Sequence, residues 1–294
     1  MTHCRFTWPR LVCVALAVFG LAGAVHAAEK PELEIQTDIE YGTGAGEPLM
    51  LDIASPKGLD HPVPAIVVIH GGGWRQGKRQ DVTAIMKRAA AHGYVACTIS
   101  YRLAPKHRFP AQIEDAKCAV RYLRANADKL NIDPQRIGAI GSSAGAHLAM
   151  MLGTLDSPDG MEGEGGHPDE ASKVQAVVSF VGPVNLVRTT YTDAQKATLS
   201  DFFGGNPHNK QADCRRASPL NYVNNGDAPM LCFFGTKDTL VTPDQAYEIS
   251  EAMTEAGVPG RIELLVGAQH GWLGDEVDRT LDASFEFFDQ YLKK

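Results

Sequence analysis

The chain has 294 residues, of which 35 are acidic and 28 are lysine or arginine, so its formal net charge is −7 at pH 7. This acidic balance argues against nucleic acid or an anionic membrane surface as a partner. The length allows one α/β domain with a large hydrophobic core.

Residues 1–27 have the pattern of a secretory signal peptide. Arg5 and Arg10 give a positively charged start, an apolar run covers residues 11–25, and Ala27 is a small residue suited to cleavage. An apolar run of about 15 residues is shorter than the roughly 20 that a transmembrane helix needs. We therefore expect a secreted or periplasmic protein without membrane contact after cleavage, and an uncleaved membrane anchor is the alternative.

Residues 28–294 are predicted to form a single domain that opens with an antiparallel hairpin of strands at 32–40 and 49–54. Short, continuous apolar runs follow, which indicates strands buried on both faces of a sheet; they lie at 65–69, 94–99, 136–140, 174–180, 230–234 and 262–266. Helical patterns fall between or after them, at 82–92, 113–129, 144–155, 243–256 and 281–292. This alternation predicts a mostly parallel sheet of about eight strands with helices on both faces.

Two stretches interrupt the alternation, at residues 156–172 and 184–228. We refer to them as the first insertion and the second insertion. Both are longer than ordinary connections between strands and helices, and such long connections are often functional. We therefore expect both insertions to be lid-like.

Residues 141–145 read Gly-Ser-Ser-Ala-Gly and lie between a predicted strand and a predicted helix. A G-x-S-x-G sequence at such a junction is typical of the nucleophile elbow of α/β-hydrolases, with Ser143 as the nucleophile. Glycines two residues before and after the serine leave no Cβ to obstruct the tight turn. The alternative is a serine that caps the helix N-terminus.

Residues 70–74 read His-Gly-Gly-Gly-Trp and directly follow the strand predicted at 65–69. Three glycines at a strand end allow backbone N–H groups to converge, and we expect those of Gly71, Gly72 and Ala144 to form an oxyanion hole. A dinucleotide-binding turn is excluded because the G-x-G-x-x-G spacing is missing.

Acyl transfer by a serine also needs a base and an acid that orients the base, in the chain order serine, acid, histidine. Asp238 follows the strand predicted at 230–234, and Asp201 and Asp227 are poorer candidates within the second insertion. His270 is the histidine that follows Asp238 in the sequence. Each member of the predicted triad Ser143–Asp238–His270 then lies at the carboxyl edge of the sheet.

Two other histidines lie close to these motifs. His147 is four residues beyond Ser143 and should point along the helix, so we expect a packed or hydrogen-bonded residue rather than the base. We expect His70 to shape the glycine loop.

Beyond residue 27 the chain has four cysteines, Cys97, Cys118, Cys214 and Cys232. Export would permit a disulfide, but the sequence does not select a pairing. The spacing of cysteines and histidines does not predict a zinc site, and the acidic residues of 156–170 lack EF-hand spacing. We expect no metal and no organic cofactor.

The chain resembles the α/β-hydrolase esterases of the hormone-sensitive-lipase-like group over nearly all of residues 28–294. The motifs concerned are HGGG at 70–73, YRLAP at 101–105 with Phe109, Pro110 and Asp115, and DPQR at 133–136. The GSS start of the elbow, Trp74 in place of phenylalanine and the N-terminal strands depart from that group. These departures resemble the subgroup of bifunctional feruloyl and acetyl-xylan esterases.

The resemblance implies that Ser143 attacks an ester, that His270 is the base oriented by Asp238, and that an acyl-enzyme forms. It assigns structural roles to Asp115 and Arg136. The implied substrates are small or carbohydrate-linked esters that carry acetyl or feruloyl groups.

Two alternatives to an esterase remain open at this level. The same residues could serve an arylformamidase, another amidase or a peptidase, and a hydrolase fold can also serve as a non-catalytic binding protein. Four aromatic residues are candidates for the substrate pocket, although each could equally belong to the core: Trp74, Phe109, Phe203 and Trp272. The sequence does not indicate an oligomeric state.

Overall fold

Eight strands form one sheet in the computed structural model, which describes residues 31–294. The signal peptide predicted at 1–27 lies outside the described residues. The strands are β1 (Leu33–Gly44), β2 (Glu47–Pro56), β3 (Val63–Ile69), β4 (Val95–Ile99), β5 (Ile132–Ser142), β6 (Ala176–Phe180), β7 (Met230–Gly235) and β8 (Gly260–Leu265). Their spatial order is β1-β2-β4-β3-β5-β6-β7-β8.

The sheet is antiparallel where the opening hairpin joins it and parallel from β4 to β8. The helices are α1 (Thr83–Ala91), α2 (Ala111–Ala125), α3 (Ala127–Leu130), α4 (Ala144–Thr154), α5 (Asp193–Phe203), α6 (Gln211–Arg216), α7 (Asp244–Ala256) and α8 (Asp275–Leu292). The predicted fold class, a mostly parallel eight-stranded α/β sheet, is confirmed. Of the helices described, none is long and apolar enough to span a membrane.

The core lies on both faces of the sheet. All seven residues of β3 are buried, as its continuous apolar sequence predicts. One hydrophobic cluster joins the sheet to α2, α4 and α7, and a second cluster joins the opposite face to α1 and α8. Residues 31–294 form one compact unit around these clusters.

The opening hairpin is longer than the sequence pattern indicated. The strands continue to Gly44 and resume at Glu47, so the connecting turn is reduced to Ala45 and Gly46, which both have positive φ. Two such residues suit the tight turns that join antiparallel strands. Gly42 resembled a turn residue in the sequence, but here it allows close packing, since a Cβ would lie 2.4 Å from the carbonyl oxygen of Gly165.

The first insertion packs along α2. Glu162 pairs with two buried cations of this helix, at 2.6 Å from Lys117 Nζ and 3.0 Å from Arg121 Nη1. The insertion also reaches the opening hairpin, where the Thr43 N–H donates to the Gly165 carbonyl. Its acidic residues therefore include the partner of two buried cations.

The second insertion contains two helices that were not expected from the sequence pattern, α5 and α6. The signal for α5 was present: Thr192 caps the helix by accepting from the Gln195 N–H, while the Gln195 side chain accepts from the Thr192 N–H. Gly204, with φ of 70°, ends the helix in the left-handed conformation.

The four cysteines of the described region are all buried and free. Cys214 lies in α6, and its thiol lies 4.0 Å from the hydroxyl of Tyr191.

Candidate active site

Ser143 lies in a tight turn between the end of β5 and the start of α4. Its backbone has φ of 54° and ψ of −119°, a conformation that costs a non-glycine residue about 1–3 kcal/mol. The turn is closed by close packing, because a Cβ on Gly141 would lie 2.4 Å from Gly145 and a Cβ on Gly145 would lie 2.1 Å from the Ile69 carbonyl oxygen. The Ser143 N–H donates to the Phe180 carbonyl, which fixes the turn to β6.

Ser143, His270 and Asp238 form a continuous hydrogen-bonded relay. The distance from Ser143 Oγ to His270 Nε2 is 2.9 Å, and that from His270 Nδ1 to Asp238 Oδ2 is 2.7 Å. The three residues follow β5, β8 and β7, so they meet at the carboxyl edge of the parallel strands. The structure thus brings together the three residues that the sequence predicted as a triad.

The environment of Asp238 fixes the orientation of the imidazole. The carboxylate is fully buried, and its Oδ1 accepts hydrogen bonds from the N–H groups of Leu240 and Val241. Oδ2 is left to accept the Nδ1 proton of His270. The neutral imidazole then presents an unprotonated Nε2 to Ser143, the arrangement needed for a general base.

Three backbone donors line the cavity next to the serine. Gly71, Gly72 and Ala144 all lie in its wall, and among residues 31–294 no acceptor is paired with their N–H groups. Gly72 has φ of +114°, which favours glycine, and a Cβ on Gly71 would lie 2.8 Å from the Ser142 carbonyl oxygen. The arrangement can therefore bind a negatively charged oxygen.

Ser143 and His270 open into a cavity of about 440 Å³, a volume suited to a small organic ligand. The second insertion forms one wall of this cavity, and the lining residues that it contributes are Asn185, Leu186, Arg188, Tyr191, Ala194, Gln195, Thr198 and Leu199. No residue of the first insertion is part of the lining. None of these wall residues belongs to a catalytic motif in the sequence, and the length of the second insertion was the one signal that pointed to them.

Of the four aromatic residues expected in the pocket, Trp74 lines the cavity. Phe109 and Phe203 instead pack edge-on against each other with ring centroids 5.7 Å apart. Trp272 packs toward the α1 and α8 cluster and donates from its indole to the Thr280 hydroxyl. The cavity lining does not include Phe109, Phe203 or Trp272: Phe203 is buried in the core, and Phe109 and Trp272 are half-buried and pack against it.

His147 links three parts of the site. Its Nδ1 accepts a hydrogen bond from the Trp74 indole at 3.2 Å, and its Nε2 donates to the Ala217 carbonyl of the second insertion at 2.6 Å. Burial lowers the pKa of His147 to about 4, so the imidazole is neutral at pH 7. It is a buried, hydrogen-bonded helix residue, as its position in the sequence suggested.

His70 shapes the glycine loop, as expected. Its ring stacks on Tyr101 with centroids 4.3 Å apart, and its Nδ1 donates to the Gly71 carbonyl at 2.7 Å. Burial lowers the pKa of His70 as well.

The two other acid candidates have different partners. Asp201 pairs with Arg75 at 3.0 Å on the protein surface. Asp227 is buried against Lys173 at 2.6 Å, and burial raises the pKa of its carboxyl group. Neither has a hydrogen bond to His270.

Asp115 and Arg136, the two residues expected to have structural roles, lie near opposite ends of the parallel strands. Asp115 is buried and binds Arg102 in the YRLAP segment, with Oδ1 2.7 Å from Arg102 Nη2. Burial raises the pKa of the Asp115 carboxyl group. Arg136 pairs with Asp133 near the start of β5, at the other end of the strand from the serine. Of the two, Asp115 supports a loop near the site.

The parallel sheet, the strained serine at a strand–helix turn and the Ser–His–Asp relay together define the α/β-hydrolase class of protein. The more particular assignment comes from a family model. The BD-FAE model matches residues 51–253, and the chain belongs to this family.

Known proteins of similar sequence and structure agree with this assignment. Esterase LipC of Mycobacterium tuberculosis (strain ATCC 25618 / H37Rv) is 32% identical over 234 residues, which are 76% of this chain and 57% of LipC. A truncated carbohydrate esterase from gut microbiota has a TM-score of 0.76 at 25% identity, covering 91% of this chain and 99% of its own. Propionate-bound esterase 2 of Thermogutta terrifontis has a TM-score of 0.73 at 28% identity, covering 89% and 95%. The chain spans about half the length of the first curated relatives it matches.

Proposed function

We propose that the protein is a serine carboxylesterase that hydrolyses small or carbohydrate-linked esters through an acyl-enzyme. The observation that carries this proposal is the relay from Ser143 through His270 to the buried carboxylate of Asp238. It opens into a cavity whose wall contains the backbone N–H groups of Gly71, Gly72 and Ala144, which have no acceptor among residues 31–294.

In the first half of the reaction, Ser143 Oγ attacks the ester carbonyl carbon while His270 Nε2 accepts the hydroxyl proton. The carbonyl oxygen becomes an oxyanion and accepts hydrogen bonds from the N–H groups of Gly71, Gly72 and Ala144. Asp238 stabilises the imidazolium that forms. The tetrahedral intermediate then expels the alcohol, which takes its proton from His270 Nε2.

In the second half, water attacks the acyl-enzyme. His270 accepts a proton from the water, and the same backbone donors bind the second oxyanion. Collapse of this intermediate breaks the bond to Ser143 Oγ, and the serine recovers its proton from His270. The products are a carboxylic acid and an alcohol.

The cavity volume and the relatives support the proposed substrate class. About 440 Å³ accommodates an acetyl group with a sugar-sized alcohol, or a single aromatic acyl group. One structural relative is a carbohydrate esterase and another binds propionate. The first supports a carbohydrate-linked ester, and the second supports a short acyl group.

The purified protein should be assayed with p-nitrophenyl acetate, acetylated xylan, methyl ferulate and N-formylkynurenine, beside a Ser143→Ala variant. We expect turnover of the esters and a loss of kcat of about 10⁴-fold or more in the variant. Equal rates in the two proteins would exclude the serine mechanism. Turnover of the formamide far above every ester would instead favour an amidase.

We also propose that residues 1–27 direct export, on the evidence of their sequence pattern alone. Expression of the full chain in a bacterial host, followed by fractionation and N-terminal sequencing, tests this. The expected product is a periplasmic protein that begins near residue 28. An intact N-terminus in the membrane fraction would favour the uncleaved anchor.

A further inference from the structure

Gln245 lines the cavity, and only the oxygen of its side-chain amide is hydrogen-bonded within residues 31–294. It lies in the first turn of α7 and has 3% of its surface exposed. Its Oε1 accepts two backbone hydrogen bonds where the second insertion begins, from the Val184 N–H at 2.8 Å and from the Asn185 N–H at 3.0 Å. Because both partners are donors, they require the amide oxygen and not the amide nitrogen at this position.

The amide nitrogen of Gln245 must therefore point away from these two groups. Across residues 31–294, no acceptor is bonded to Nε2, and Nε2 is not one of the polar atoms sealed from solvent without a partner. Gln245 lines the same cavity as Ser143 and His270. A nearly buried amide with a fixed oxygen thus presents a free donor to the space where the substrate binds.

The charged groups around this donor favour a neutral ligand. Of the arginines in the cavity wall, Arg188 pairs with Asp244 and Glu248, and Arg75 pairs with Asp201. Arg188 contacts both carboxylates through Nη1, and its Nη2, which has no partner within residues 31–294, is sealed from solvent. Because each of these two arginines is paired with at least one carboxylate, they leave no unbalanced positive charge in the cavity wall to select an anionic substrate.

We propose that Gln245 Nε2 is a specificity-determining donor, which binds a neutral oxygen of the substrate outside the reacting ester group. The ether and hydroxyl oxygens of a sugar ring are acceptors of this class. An all-carbon alcohol would leave the Gln245 donor unpaired after water is displaced, and an unpaired donor reduces the preference for such a substrate. The proposal rests on the esterase function above.

The test compares acetates that differ in one oxygen. Cyclohexyl acetate is the reference, and tetrahydropyran-3-yl and tetrahydropyran-4-yl acetate each replace one methylene group by a ring oxygen that can only accept a hydrogen bond. The wild-type kcat/KM, normalised to the rate of hydrolysis by hydroxide, should favour at least one tetrahydropyranyl ester over the reference. In Gln245→Glu this preference should fall about ten-fold.

Gln245→Glu is the informative variant, because a carboxylate oxygen can still accept from Val184 and Asn185 while the donor is lost. Gln76→Glu is the charge control, since Gln76 lines the same cavity with an exposed side chain. The proposal requires that the preference falls in Gln245→Glu and not in Gln76→Glu. Equal falls in both variants, or an unchanged preference in Gln245→Glu, would overturn it.

The wild-type comparison tests the proposal even if Gln245→Glu does not fold, as judged by thermal unfolding. Absence of any preference for either ring ether in the wild type contradicts the role of Gln245. Absence of activity on all three acetates and on p-nitrophenyl acetate contradicts the proposed esterase function instead.

Discussion

The two insertions looked alike in the sequence, but they occupy different environments in the fold. The second insertion forms a wall of the active-site cavity, with two helices of its own. The first insertion packs along α2, where the Glu162 carboxylate pairs with two buried cations of that helix. One therefore shapes the space for substrate, and the other stabilises the scaffold.

The connectivity of the sheet explains this difference. The second insertion leaves the carboxyl end of β6, and the carboxyl ends of parallel strands carry the site in open α/β sheets. The first insertion connects the end of α4 to the start of β6, so it begins and ends at the opposite edge. The length of a connection therefore says less about its function than the sheet edge from which it starts. If this comparison is correct, changes at the cavity should alter kinetics, and changes at the first insertion should alter stability.

The largest effect is expected for Asp238→Asn at the cavity. The amide would no longer orient and stabilise the imidazole as the carboxylate does, so kcat on p-nitrophenyl acetate should fall about 10⁴-fold. The Asn oxygen can still accept from Leu240 and Val241, so the unfolding temperature should change little. A kcat within about ten-fold of wild type would mean that another group orients His270.

The next largest effect is expected for Glu162→Ala in the first insertion. The change leaves Lys117 and Arg121, with side chains 0% and 2% exposed, without their carboxylate partner. The free energy of unfolding should fall by about 3 kcal/mol, while kcat/KM of the folded protein stays near the wild-type value.

Glu164→Ala is the matched control for this variant, because Glu164 is an exposed residue of the same insertion. Its effect on stability should stay within about 0.5 kcal/mol. Urea unfolding and steady-state kinetics measure both variants. If kcat/KM of Glu162→Ala falls strongly under conditions where the variant is fully folded, the first insertion also contributes to the active site.

A comparable effect, dependent on pH, is expected from His147, which anchors the second insertion through Ala217. Burial lowers its pKa from 6.5 to about 4 in the folded protein. The unfolded chain therefore binds a proton as pH falls below about 6.5, before the folded protein does, and stability is lost down to about pH 4. This one group should reduce the free energy of unfolding by up to about 3 kcal/mol over that interval.

In His147→Gln, this pH-dependent loss of unfolding free energy should be absent, because glutamine can keep both hydrogen bonds without titrating. Urea unfolding between pH 7 and pH 4 for both proteins gives the difference between their pH profiles, which removes contributions from other groups. Parallel profiles for the two proteins would show that His147 is already accessible to protons in the folded state.

The smallest effect is expected for Asp201→Asn, which breaks the ion pair between the second insertion and Arg75. Both side chains are 38% exposed, so the pair should contribute less than about 1 kcal/mol to stability. We expect kcat on p-nitrophenyl acetate to change by less than about three-fold, since screening by solvent weakens such a pair. A loss close to that of Asp238→Asn would transfer the role of the acid to Asp201.

Several elements were predictable because their signals are local. The apolar strands, the glycine loop and the G-x-S-x-G turn each occupy a few consecutive residues, and their order placed Ser143, Asp238 and His270 at one edge of the sheet. Helix α5 was missed although Thr192, Gln195 and Gly204 mark its ends. Its weak amphipathic pattern within a long irregular stretch hid these capping residues.

The sequence by itself determined the class of fold and which residues could meet, since strand order and backbone turns depend on short-range patterns of polarity and glycine. Only the tertiary structure decided which residues face the cavity. It packed Phe109, Phe203 and Trp272 in or against the core, outside the cavity lining, and it left one end of Gln245 bonded to the second insertion and the other end without a partner among residues 31–294. Such choices depend on how segments far apart in the chain pack against each other, and no local pattern of residues encodes them.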